Sequence, residues 1–128
     1  MHKQVPEAEE EVTSLHDLSA VDLIAGFRAR QFSPSEVLED VLAHIAAWEP
    51  HIKALYAFDP DGARAAARAS TERWQKGEPG GALDGVPVTI KENIHTKGDP
   101  APIGTKANDD APLQAADAPP AARLREAG

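Results

Sequence analysis

The sequence predicts an α/β chain, several capped amphipathic helices with one short pair of strands. Three observations carry that class. Apolar residues recur at helical spacing behind serines that can cap a helix, at Ser19 and again at Ser33. Val86, Val88 and Ile90 alternate with Pro87, Thr89 and Lys91, which is the period of two of a strand. A second short apolar run, Leu55 to Phe58, supplies the other strand.

Residues 1 to 14 are polar and carry Glu7, Glu9, Glu10 and Glu11, which predicts a disordered acidic tail and not a secretory signal. Ser19, with Asp22 three residues on, opens a first helix. Its apolar stripe is read as Leu18, Val21, Ile24 and Phe27, and its end as near Arg30. Ser33-Pro34-Ser35-Glu36 is a stronger start: a serine N-cap, proline at the first helical position and glutamate at N3. Val37, Leu38, Val41, Leu42, Ile45 and Trp48 mark one face of that helix, and Pro50 is read as its end.

Asp59-Pro60-Asp61-Gly62 opens a third helix. Ala63, Ala66, Ala67, Ser70 and Trp74 line a narrow face suited to close packing, and Gly77 is the expected C-cap. Arg68 and Glu72 have the spacing of an i, i+4 pair. Arg64, Arg68 and Arg73 read as a solvated face. Glu78 to Gly81 is a loop before the strand that ends at Lys91. Residues 95 to 116 lack periodicity and read as a long loop, followed by a helix over 118 to 127.

Composition bounds what this chain can do alone. Nearly half of its apolar residues are alanine, and Leu, Ile, Val and Phe together make up just under a fifth of the 128 residues. With a net charge of −8, that borders on the composition of disordered chains. Two short strands make a weak sheet, so a full core is expected only with further chain covering the apolar faces. The acidic balance excludes a general nucleic-acid surface, and no apolar stretch approaches membrane-spanning length. There is no cysteine, hence no disulfide framework or thiolate metal site. The five histidines show no HxxxH or HxH spacing, so they are read as packed or solvated rather than as metal ligands. These features fit a cytoplasmic protein.

Lys91 is the residue on which a chemistry rests. A lysine closing an apolar strand is unusual, because burying an ammonium is costly unless it is paired or neutralised. An enclosed lysine is a general-base candidate. The run around it is Gly81-Ala82-Leu83-Asp84-Gly85-Val86-Pro87-Val88-Thr89-Ile90-Lys91-Glu92-Asn93-Ile94, with a Gly98-Asp99-Pro100 turn beyond. It resembles the motif that carries the catalytic lysine of the amidase signature family. One departure is Glu92, where the family usually has aspartate; the extra methylene keeps the charge but displaces the carboxylate. The resemblance runs in order from residue 15 to residue 128. It takes in Leu18 to Ile24, Phe32 to Val37, Ala54 to Phe58, the alanine-rich helix from Ala63 to Thr71, and Asp117 to Gly128.

The resemblance implies the N-terminal part of a mixed-sheet α/β/α fold over residues 15–128. It implies hydrolysis of a small carboxamide through a serine acyl-enzyme, with no metal or organic cofactor and no membrane or direct nucleic-acid partner. Lys91 would serve a Ser–cis-Ser–Lys triad. The family's two serines lie in a Gly/Ser-rich segment well downstream of the lysine. None of Ser14, Ser19, Ser33, Ser35 and Ser70 lies in a glycine-rich loop. The chain is therefore expected to be an incomplete N-terminal portion, truncated before the nucleophile and inactive alone. Two alternatives stay open: a glutamyl-tRNA amidotransferase component of the A type, and a non-catalytic helical module that binds a partner. The substrate and the oligomeric state are not legible.

Overall fold

A computed structural model of the chain describes residues 14–128, so the acidic tail lies outside the described residues apart from Ser14. Among the described residues the architecture is helical: α1 (Ala20–Arg28), α2 (Pro34–Ile52), α3 (Pro60–Lys76) and α4 (Pro119–Glu126), with short 3-10 turns at Leu15–Asp17 and Lys106–Asn108.

The helix starts are set by their caps. Ser19 accepts from the Asp22 amide at α1. Ser33 and Glu36 form a reciprocal capping box at α2, with the glutamate reaching back to the Ser33 amide at 2.7 Å. Asp59 accepts from the Gly62 amide at α3, which ends on Gly77 in the left-handed region, φ 73°. Pro50 does not end α2. The helix runs two residues further and stops at Lys53, which takes φ 47° and donates to the Glu49 carbonyl at 2.9 Å. A proline removes a single bond this close to a helix end, and the Glu49 side chain holds the exit by accepting from the Leu55 amide at 2.9 Å.

α2 and α3 pack in opposite directions. Ser35 at the start of α2 meets Thr71 near the end of α3, their hydroxyls 3.0 Å apart. Glu39 one turn on meets Arg64 near the start of α3 at 2.7 Å. Arg64 also reaches Asp61, and among the described residues no ion pair joins Arg68 to Glu72.

The core is Leu23, Phe27 and Val37, with Leu15, Leu18, Ile24, Phe32, Val41, Trp74 and Val86 packed around it. Phe32 stands edge-on to Phe27, ring centroids 5.7 Å apart. The α1 stripe is thus rotated from its expected phase. Val21 is 78% exposed and Leu23 is buried, because α1 turns Leu23 and Phe27 toward Val37 of α2 and Gly26 toward Phe32 in the turn between the helices. Gly26 is needed there: a Cβ on it would lie 2.1 Å from the Phe32 ring.

The strand pair is not seen. Val86 to Lys91 is irregular, and so is Leu55 to Phe58. A strand must place its N–H and C=O groups on a neighbouring ladder, and among the described residues neither run finds one. The Val86 amide instead closes a turn onto the Leu83 carbonyl at 2.9 Å. Without a sheet the alternation has nothing to face, and Val88, Tyr56 and Phe58 stand about half exposed or more. The long loop after Lys91 does close on itself, since Gln114 exchanges backbone bonds with Gly98 and Asp99 at 2.9 and 3.0 Å.

Candidate functional site

Lys91 is exposed at the end of the irregular run that leaves Gly85. What the described residues provide is anchorage on either side of that run.

Upstream, the anchor is Asp84, whose side chain is fully buried. Its carboxylate accepts from Arg73 Nε at 2.7 Å and Nη2 at 2.5 Å, from the Ser70 hydroxyl at 2.7 Å and from the Gly80 amide at 2.7 Å. Its main-chain carbonyl accepts from the Trp74 indole at 3.0 Å. Burial alone would push this carboxyl up, but the Arg73, Gly80 and Ser70 donors outweigh it and hold the group at about 2. α3 therefore presents Ser70, Arg73 and Trp74 together to one turn. Arg73 is not the solvated side chain that spacing along α3 suggests.

Gly85 follows directly, with φ +88°. A Cβ there would sit 2.6 Å from Pro34 and 2.7 Å from the Ser70 hydroxyl, so the position requires glycine on conformation and on space. Its amide donates to the Gly128 carbonyl at 3.3 Å, and the Leu83 amide donates to the Ala127 carbonyl at 2.9 Å.

Downstream, the Lys91 carbonyl accepts from the Ile94 amide at 2.9 Å, closing a turn. The His95 carbonyl accepts from the Ala118 amide at 2.8 Å. The Lys97 amide donates to Asp117 at 2.8 Å, and the other Asp117 oxygen accepts from Arg125 Nε at 2.7 Å. Asp117 is held below the usual carboxylate range, first by the Lys97 amide and then, against some desolvation, by Arg125. Glu92 is half-buried and Asn93 exposed.

Asp84 and Asp117 are the residues that reading the sequence does not single out. The available signal is an aspartate inside an apolar run beside glycine, and an aspartate two residues before a proline-led helix.

Away from this region, His16 and His44 come together although the sequence separates them. Their rings stack at 4.0 Å, and His16 Nδ1 lies 2.6 Å from Asp40. Asp40 is held low, chiefly by the His16 backbone amide and then by the ring. Among the described residues no three His, Cys, Asp or Glu side chains gather as metal ligands, and no helix is long and apolar enough to cross a membrane.

The comparisons with known proteins agree on one family. The family model described as Amidase matches residues 36–128. The A-type component of the glutamyl-tRNA(Gln) amidotransferase of Chloroflexus aurantiacus is 42% identical over 95 residues, covering 74% of this chain and 20% of that protein. Its counterpart from Anaeromyxobacter is 44% identical over 82 residues, covering 64% of this chain and 17% of its own. Among solved structures, the chain superposes with TM-score 0.81 and 32% identity on a protein from an inhibitor-bound vestigial complex tied to the evolutionary origins of an s-triazine catabolic enzyme. That match covers 87% of this chain and 24% of that one. A bacterial aryl acylamidase of the amidase signature enzymes superposes with TM-score 0.72 at 32% identity, covering 80% and 21%. The chain thus spans about a fifth of the length of the curated relatives it matches.

Proposed function

This chain belongs to the amidase (amidase signature) family, matched over residues 36–128, and on that footing we propose that it supplies the catalytic lysine, Lys91, to a larger amidase domain of which residues 15–128 are the N-terminal part. The whole domain cleaves the C–N bond of a small carboxamide. A serine from outside residues 1–128 attacks the carbonyl carbon through its oxygen. Its proton passes by way of a second serine to the Lys91 amine and then to the departing nitrogen. Water cleaves the resulting ester and restores the serine. The chemistry needs no metal or organic cofactor, and we place it in the cytoplasm.

The observation that carries this reading is the setting of Lys91. It stands at the end of a run that is fixed on either side, and it is itself exposed. An amine acts as a base only where enclosure keeps it neutral. Val88, Thr89 and Ile90 make no backbone hydrogen bond among the described residues, so they keep the groups that a sheet would use. In the whole domain that sheet, a mixed one covered by helices, both completes the run and closes over the lysine. The isolated chain is then inactive.

The names of the curated relatives favour a second reading. They are amidotransferase components, so the domain would work within a larger assembly and pass the nitrogen on rather than release it. Dependence of activity on co-expressed partner proteins separates the two.

The test is a graft. Residues 14–128 replace the matching segment of the bacterial aryl acylamidase, and hydrolysis of a simple aryl amide is followed. Turnover by the folded graft is the expected result. A folded graft that binds the amide without hydrolysing it would overturn the reading.

A further inference from the structure

We propose that α4 is a strut that sets the position of Lys91, with Asp117 as the positioning residue at its loaded end; this rests on the reading of Lys91 given above. The C-terminal end of α4 holds the upstream side of the lysine run, through Leu83 N–H to the Ala127 carbonyl and Gly85 N–H to the Gly128 carbonyl. Its N-terminal end holds the downstream side, through Ala118 N–H to the His95 carbonyl and Lys97 N–H to Asp117. One short helix therefore bridges the two ends of the segment that bears the lysine.

The lengths give this bridge a consequence. From Ala118 to Gly128 a helical path rises roughly 15 Å. From Gly85 to His95 a fully extended chain would reach roughly 33 Å. The strut holds the ends of the run at about half that reach, so the run must arch. The turn from Lys91 to Ile94 lies within the arch, and the length and docking of α4 determine where its tip sits.

Asp117 is the joint that fixes this arrangement. Ala118, the N-cap of α4, makes no side-chain cap, and the Asp117 carboxylate spans two elements. One oxygen takes the Lys97 amide of the loop and the other takes Arg125 two turns along α4. A charged acceptor makes both bonds stronger than neutral ones. The Asp117 side chain keeps 15% of its exposure, against 59% for its Arg125 partner. Arg123 and Glu126 lie on the same helix and, among the described residues, pair with each other alone, which makes them a natural control.

Two measurements test this together. In the 128-residue chain, amide hydrogen exchange is followed at Leu83, Gly85 and Ile94, whose amides donate at the start of the run and in the turn after Lys91. Asp117→Ala should speed exchange there, Arg125→Ala should do so less, and Glu126→Gln should leave it unchanged. In the graft, Asp117→Ala should lower kcat by roughly ten- to hundredfold, the scale of a small misplacement, with KM little changed. Asp117→Asn keeps an acceptor for the Lys97 amide and should recover most of that loss. Unchanged exchange in Asp117→Ala would overturn the proposal, and so would faster exchange with unchanged kcat. If Lys91→Met leaves the graft active, the catalytic reading fails instead, and the exchange data still decide whether α4 holds the run.

Discussion

Arg73 grips Asp84 with two prongs, Nε on one carboxylate oxygen at 2.7 Å and Nη2 on the other at 2.5 Å, across the junction between α3 and the turn that starts the lysine run. The carboxylate is fully buried, whereas the arginine side chain keeps 40% of its exposure. The pair is therefore asymmetric. Removing the aspartate strands the buried Ser70 hydroxyl and the Gly80 amide, while the arginine can turn to water.

Asp84→Ala should cost roughly 2–4 kcal/mol, at or below the range for breaking a fully buried pair because Arg73 can rehydrate. Urea unfolding followed by circular dichroism measures it. A loss under about 0.5 kcal/mol, the size of an ordinary surface change, would mean that the hub does not hold the turn.

The same carboxylate fixes a pH response. Its folded value is about 2 against an ordinary 3.8, so the unfolded chain binds the proton first as pH falls. The stability it contributes is complete above 3.8 and is lost progressively as pH falls to about 2. Asp40, Glu39 and Asp117 are also held low and push the same way. The part due to Asp84 is isolated by Asp84→Asn, whose stability gap from the parent should narrow across that window. A constant gap would contradict the assignment.

Gly85→Ala should destabilise by at least about 2 kcal/mol, combining a left-handed backbone with overpacking against Pro34 and Ser70. Because Gly85 starts the lysine run, the graft should lose activity as well. A thermal melt paired with the amide assay reads both effects.

Ser33→Ala removes one half of the α2 capping box and frees the Glu36 amide. About 1 kcal/mol should be lost, with the helix otherwise intact. Chemical denaturation of this variant against Ser35→Ala distinguishes the cap from the neighbouring Ser35–Thr71 contact.

Local signals are legible in the sequence, and long-range ones are not. Ser19, Ser33, Asp59 and Gly77 act where they are read, because a cap bonds within one turn of itself. The phase of α1 is misread at Val21, since only packing against α2 and Phe32 decides which stripe is buried. The strand over Val86 to Lys91 has the right period but no neighbour among the described residues, and a period cannot supply a ladder. Arg73 reads as solvated because its partner lies 11 residues away across a turn. His16 and His44 are read only as packed or solvated, because the fold alone stacks them. Lys91 is legible as the residue on which the proposed chemistry rests, whereas among the described residues it stands exposed.

The decisive measurement is kcat for a simple aryl amide in the graft carrying Lys91→Met, a change that keeps an unbranched apolar stem out to Cε and removes the amine. Loss of general-base chemistry should lower kcat by about 10²–10⁴-fold with the melting temperature unchanged. Turnover within a few-fold of the parent graft would contradict the assignment of Lys91 as the base.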